Sequence, residues 1–185
     1  MDDTLELISQ SPDQTRCIGE CLGSLLRGGE IIGLEGDLGA GKTVLAQGVG
    51  LGWGTTTQLI SPTFVLVRRH DNTQGLVQLY HIDLYRLGSD AEVEGQGLGV
   101  YDLLGYPDSI CLIEWPERAP ELFTDEYLWI TLRWLAHNRR ALRCHAVGTR
   151  HSDLLRQLHR ELVSVETCFY SNVFHQELRL NVVSD

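Results

Sequence analysis

Lys42 and Thr43 end the run Gly36-Asp37-Leu38-Gly39-Ala40-Gly41-Lys42-Thr43, which matches the phosphate-binding spacing G-x-x-x-x-G-K-[ST]. Glycines there let several backbone N–H groups face inward around an anion, and the helix that follows adds its free N-terminal donors. Lys42 is placed to reach the outer phosphates of a nucleoside triphosphate, and the Thr43 hydroxyl to sit on Mg2+. The chain carries fifteen basic residues, and fourteen of them are arginine, so Lys42 is the only lysine. The compact ammonium is kept where a phosphate site needs a point charge. Two carboxylates join these groups as candidates. Asp83 follows a strand-like segment and reads as a Mg2+ ligand or water-orienting group, or else as a capped turn residue. Glu114 closes the apolar run Ile110-Cys111-Leu112-Ile113, where a charge is rarely left without a partner. It has the form of the acidic residue that ends a nucleoside triphosphatase strand near Mg2+. His81 alone suggests only a local hydrogen bond, Glu117 a solvated helix-start cap, and Trp115 either a base-stacking ring or a lid on the core.

The elements that must hold these groups alternate between strand and helix signals. Residues 4 to 8 read as a short strand. Ser11-Pro12-Asp13 reads as a helix start, and Ile18, Cys21, Leu22, Leu25 and Leu26 recur on one face. Gly28-Gly29 stops that helix. Ile31 to Leu34 is the strand that feeds the phosphate loop, and the helix after the loop is expected from Gly41 to about Gly48, closed by glycines to Gly54. Ser61-Pro62 breaks regular structure. Thr63 to Arg69 and Leu76 to Ile82 then read as an antiparallel hairpin around the loop 71–75. With a period of two, His81, Asp83 and Tyr85 are expected on one side of the second strand, with Ile82 and Leu84 toward the core. Residues 88 to 108 read as turns or short helices, with Glu92 and Glu94 on the surface. Ser109 to Glu114, Tyr127 to Leu135 and Ala141 to Val147 read as strands, 117 to 123 as a helical turn, and His151 to Leu162 as a helix. The last 23 residues are too apolar for a plain disordered tail, whether they wrap the domain or form a contact surface.

The chain has 185 residues, 43% of them apolar, enough for one well-filled core and too few for two comfortable domains. The expected division is a nucleotide-binding domain over 1–162 and an extension over 163–185. A formal charge of −10 argues against a free-standing nucleic-acid binder. Arg133, Arg139, Arg140, Arg143 and Arg150 nevertheless give one region a basic cast, open to a partner, to RNA or to plain solvent. The five cysteines lack zinc-site spacing and read as small buried residues in a reducing cytosol. No apolar stretch long enough for a membrane span or signal peptide stands out, so a cytoplasmic protein is expected.

Four segments, in this order, resemble one family. They are GDLGAGKT at Gly36–Thr43, Ser61-Pro62-Thr63-Phe64, HIDLYR at His81–Arg86 and IEWPE at Ile113–Glu117. The family is the bacterial tRNA threonylcarbamoyladenosine biosynthesis ATPase, TsaE, of the YjeE type, and the resemblance covers roughly residues 4 to 160. It implies an α/β, three-layer P-loop nucleoside triphosphatase fold, with a mixed sheet and an inserted antiparallel hairpin. It also implies bound ATP with Mg2+ and weak intrinsic hydrolysis. By position, Thr63 falls in a switch-like segment beside the nucleotide. Asp83 and Glu114 match acidic residues near Mg2+, and Trp115 matches the tryptophan of the E-W-P-E element. The implied partners are TsaD-like and TsaB-like subunits, whose assembly modifies adenosine 37 of tRNA, with tRNA reached mainly through that complex. Adenine comes from the resemblance, because the phosphate loop is blind to the base. Two rivals use the same loop: a small-molecule kinase, and a nucleotide-dependent binding module that hardly hydrolyses ATP.

Overall fold

The structure is a computed structural model that describes residues 3–62, 65–72, 75, 77–87 and 99–169, with only the backbone from 165 to 169. Seven strands form one sheet: β1 (Asp3–Ser9), β2 (Ile31–Glu35), β3 (Val67–Asp71), β4 (Gln78–Asp83), β5 (Ser109–Glu114), β6 (Tyr127–Ala136) and β7 (Arg139–Val147). Their order is β1-β7-β6-β2-β5-β4-β3. The inner strands β4, β5, β2 and β6 run parallel, and β3, β7 and β1 add antiparallel edges. The expected hairpin is present as β3 and β4, joined to the nucleotide-binding sheet through β5. Its first strand begins at Val67 rather than near residue 63. Residues 63 and 64 lie outside the described residues, as do Glu92 and Glu94.

Three helices, α1 (Pro12–Leu25), α2 (Lys42–Trp53) and α3 (Thr149–Phe169), contribute to one core with the sheet. Ser11 caps α1 by accepting the Gln14 N–H at 3.1 Å, and the Gln14 side chain reaches back to the Gln10 N–H. The other face of β4, β5 and β2 is covered by turns and 3-10 segments carrying Leu84, Leu87, Val100, Ala119, Leu122 and Phe123. These three parallel strands are therefore buried on both sides. This corrects the expected one-sided reading of β4: His81 and Asp83 are as buried as Ile82, and Tyr85 lies beyond the strand in solvent. Cys17 is exposed rather than buried, whereas burial pushes the thiols of Cys111 and Cys144 up to about 12.

Helix α2 runs past Gly48 to Trp53, where Gly54 in the left-handed region closes it. Gly48 and Gly52 do not end the helix because they are contact points. A methyl group at Gly48 would stand 2.1 Å from the Arg16 carbonyl oxygen, and one at Gly52 would stand 1.9 Å from that of Glu20. From α1, Gly19 and Gly23 meet the Leu45 and Val49 carbonyls just as closely. Contact positions rise together along both chains, so α1 and α2 lie parallel with their backbones nearly touching. This fixes the axis of the helix whose first residues are Lys42 and Thr43.

Candidate functional site

The phosphate loop starts where β2 ends. Gly36, Gly39 and Gly41 all have φ between +79° and +146°, the region that excludes most side chains. At Gly36 a methyl group would also stand 2.5 Å from the Leu132 carbonyl oxygen. Helix α2 has no side-chain cap, so its first N–H groups are left to face the loop. Leu38 stands at the exposed tip, and Val44 continues the helix. Two braces were not legible in the sequence. Arg140 of β7 donates from Nε to the Ala40 carbonyl at 3.0 Å, with its guanidinium over the Trp134 ring. Glu35 accepts from Trp129 Nε1 at 2.7 Å and from Thr131 Oγ1 at 2.8 Å, anchoring the residue before Gly36.

Lys42 is buried within this curl. Its ammonium donates to the Gly36 and Asp37 carbonyls and lies 3.6 Å from the Trp115 ring centre. Burial lowers its pKa, against the opposing pull of Glu114, Glu117, Asp83 and Asp37. Trp115 is set in place by a left-handed backbone (φ 62°), by its N–H on the Leu34 carbonyl at 3.1 Å, and by the Tyr85 ring at 4.9 Å. A left-handed conformation in a non-glycine residue costs roughly 1–2 kcal/mol, so the surrounding contacts must over-determine it.

The two candidate carboxylates end adjacent strands. Asp83 of β4 and Glu114 of β5 are register partners in a parallel pair, both almost fully buried. The Thr43 hydroxyl lies 3.1 Å from Glu114 Oε2 and 3.3 Å from Oε1. Asp83 accepts from Ser61 Oγ at 2.6 Å and from the Tyr85 N–H at 2.9 Å. His81 Nε2 meets Glu114 Oε1 at 2.9 Å, so this histidine belongs to the site rather than to a merely local bond. Glu117 is exposed as a residue. Partial desolvation first, then the Glu35 charge, raise its carboxyl, while Lys42 and Arg118 oppose the rise. The structure thus brings Lys42, Thr43, Asp83, Glu114 and Trp115 to one end of the sheet, and Thr63 lies outside the described residues. Hard oxygen donors from Thr43, Asp83 and Glu114 beside an anion-binding loop suit Mg2+, which uses one or two carboxylates together with phosphate oxygens.

Comparison with known proteins identifies the family. The model of the family described as "Threonylcarbamoyl adenosine biosynthesis protein TsaE" matches residues 9–142. The chain belongs to the TsaE family. A Bacillus subtilis TsaE, described as a tRNA threonylcarbamoyladenosine biosynthesis protein, is 33% identical over 81% of this chain and 90% of its own length. A Nostoc TsaE is 41% identical over 65% of this chain and 73% of its own length. The crystal structure of YdiB from Bacillus subtilis superposes with a TM-score of 0.66 at 29% identity, covering 87% of this chain and 97% of that one. The fold is that of the P-loop proteins, and the TsaE family's role lies in tRNA threonylcarbamoyladenosine biosynthesis. Among the described residues no helix is long and apolar enough to cross a membrane.

Proposed function

We propose that this TsaE protein is a slow, Mg2+-dependent ATPase whose nucleotide cycle supports turnover of a TsaD–TsaB transferase complex in the cytoplasm. The nucleotide-binding unit is residues 1–162, and no role is assigned to 163–185. The observation that carries the reading is the Thr43 hydroxyl on the Glu114 carboxylate, with Asp83 beside it in register. A P-loop hydroxyl against a strand-end carboxylate is the arrangement that holds Mg2+ on a nucleoside triphosphate.

In this reading the loop N–H groups from Gly36 to Val44 and the Lys42 ammonium bind phosphate oxygens. Mg2+, when bound through Thr43, Asp83 and Glu114, offsets charge on the outer phosphates. Glu114 or Asp83 accepts a hydrogen bond from the attacking water and so orients it. Trp115 covers the Lys42 ammonium and keeps solvent from it. Slow turnover suits a site that a partner completes, since an arginine supplied in trans raises such rates by about 10³–10⁵. The net charge of −10 favours contact with tRNA chiefly through that complex.

The test is phosphate release from ATP and GTP, with Mg2+ or with EDTA, for the protein alone and with TsaD, TsaB and tRNA. Slow, Mg2+-dependent turnover of ATP that changes on adding the partners is expected. Glu114→Gln should retain nucleotide binding and lose hydrolysis, whereas Lys42→Ala should lose binding. Fast turnover indifferent to partners, or phosphoryl transfer to an added acceptor, would refute the reading.

A further inference from the structure

Behind Glu114 the sheet buries two histidines. His81 in β4 is fully buried, and His70 in the neighbouring strand β3 is 3% exposed. Each has one ring nitrogen engaged. His81 Nε2 meets Glu114 Oε1 at 2.9 Å, and His70 Nδ1 meets the hydroxyl of exposed Thr57 at 3.1 Å. The other two nitrogens, His81 Nδ1 and His70 Nε2, find no partner among the described residues. A buried polar atom without a partner forfeits its hydration and gains nothing in return, and two such atoms on neighbouring rings call for a shared solution. The ring centres are 6.5 Å apart and the planes are tilted by 41°. Rings that far apart make no direct hydrogen bond, and one buried water between them is a partner that both open nitrogens can share.

The carboxylate accepts, so His81 donates from Nε2 to Glu114 Oε1. The shared water lies between His81 Nδ1 and His70 Nε2. The hydrogen between Thr57 and His70 Nδ1 runs in either direction, so His70 Nε2 meets the water as donor or as acceptor. Burial lowers the pKa of His70, with the neighbouring His81 adding to the effect, which agrees with a neutral ring at that end.

We propose that His81 is a positioning residue for Glu114, donating from Nε2 to Oε1 and backed on its other nitrogen by a buried water shared with His70. In this arrangement Oε1 is occupied by His81, and Oε2 is the oxygen presented beside Thr43. An outer hydrogen-bond partner of this kind fixes the orientation of a metal-facing carboxylate, and its loss typically lowers metal affinity by about 10–100-fold. What Oε2 does there rests on the Mg2+–ATP reading above; the His81–Glu114 bond and the water do not.

The first measurement is long-range ¹H–¹⁵N NMR of the histidine rings in the wild-type protein. It should show a hydrogen on His81 Nε2 shared with the Glu114 carboxylate. A His81 Nε2 without a hydrogen would overturn the proposal. The second is titration of a fluorescent ATP analogue with Mg2+ or with EDTA. His81→Ala should raise the Mg2+ concentration for half-saturation by about 10–100-fold while leaving binding in EDTA unchanged. His81→Gln, which keeps an N–H donor near the Nε2 position, should recover most of the loss. His70→Phe should shift the Mg2+ requirement in the same direction by a smaller factor. An unchanged Mg2+ requirement in His81→Ala would overturn the positioning role, and no shift in His70→Phe would remove the water link. If the wild-type protein binds no nucleotide in a Mg2+-dependent way, the ATPase reading fails, and the NMR result still decides the geometry around Glu114.

Discussion

Replacing Gly48 by alanine sets two well-defined effects against each other. Alanine in a helix interior is favoured over glycine by about 1 kcal/mol, so propensity alone predicts a more stable protein. The structure predicts the opposite. The new methyl group would lie 2.1 Å from the Arg16 carbonyl oxygen, 2.9 Å from its carbon and 3.0 Å from the Glu20 nitrogen. Reaching an ordinary contact of 3.4 Å requires α1 and α2 to part by about 1.3 Å, and backbone cannot rotate aside as a side chain can. Gly19, Gly23 and Gly52 hold the same two helices together above and below, so tilting cannot relieve one point without opening another. Overpacking of this kind costs about 1–3 kcal/mol, and the weaker dispersion attraction along the parted seam adds to it. A net loss of about 2 kcal/mol is expected, which lowers Tm by about 4–8 °C for a chain of this size. Gly50→Ala is the control. It gains the same propensity, but its methyl group meets the Leu59 side chain, whose end can shift. Urea unfolding should place Gly48→Ala below Gly50→Ala by at least about 1 kcal/mol, with similar m-values. A Gly48→Ala protein as stable as wild type would refute the close-packed seam.

Two further predictions concern buried titratable side chains. His151 is fully buried and accepts the Ile31 N–H on Nε2 at 3.1 Å; burial first, then Arg150, lowers its pKa to about 4 against an opposing pull from Glu126. The unfolded chain therefore binds a proton near pH 6.5 that the folded chain refuses until about pH 4. This stability is fully present above pH 6.5 and is lost as the pH falls toward 4, by about 2–3 kcal/mol. His151→Gln, which keeps an acceptor for Ile31, should flatten that part of the curve of unfolding free energy against pH; an unchanged slope would contradict it. Glu30 is 5% exposed, and its carboxylate accepts the Arg27 N–H at 2.9 Å and the Gly28 N–H at 2.7 Å, closing the turn between α1 and β2. Glu30→Ala leaves the buried Gly28 N–H and the part-buried Arg27 N–H unpaired, so it should cost about 1–3 kcal/mol in urea unfolding and speed hydrogen exchange at those two amides.

What the sequence carries plainly is whatever depends on near neighbours. The phosphate loop is eight consecutive residues, β5 is an apolar run ended by one charge, and Ser11-Pro12 announces α1; each appears at the expected place. What it does not carry is pairing across the sheet. His81 and Glu114 are 33 residues apart, and only the parallel register that sets Asp83 opposite Glu114 makes them neighbours. In the sequence Arg140 is one of several arginines in a hairpin, and only the antiparallel return of β7 carries it to the Ala40 carbonyl.

Glycine shows the limit most sharply, because one residue type serves two opposite ends. At Gly36 and Gly41 it supplies a left-handed turn. At Gly48 and Gly52 it supplies nothing conformational and instead removes a side chain so that another backbone can approach. Read one segment at a time, both uses look like punctuation, and the second then reads as the end of a helix. The distinguishing signal lies in two segments together. Gly19 and Gly23 on α1 are spaced by four residues, as are Gly48 and Gly52 on α2, and a spacing of four keeps both glycines on one helix face. Two helices that each bare such a face, on either side of the strand feeding the phosphate loop, can bury it against each other. The same seam that hides the true length of α2 is what holds Lys42 and Thr43 at the site.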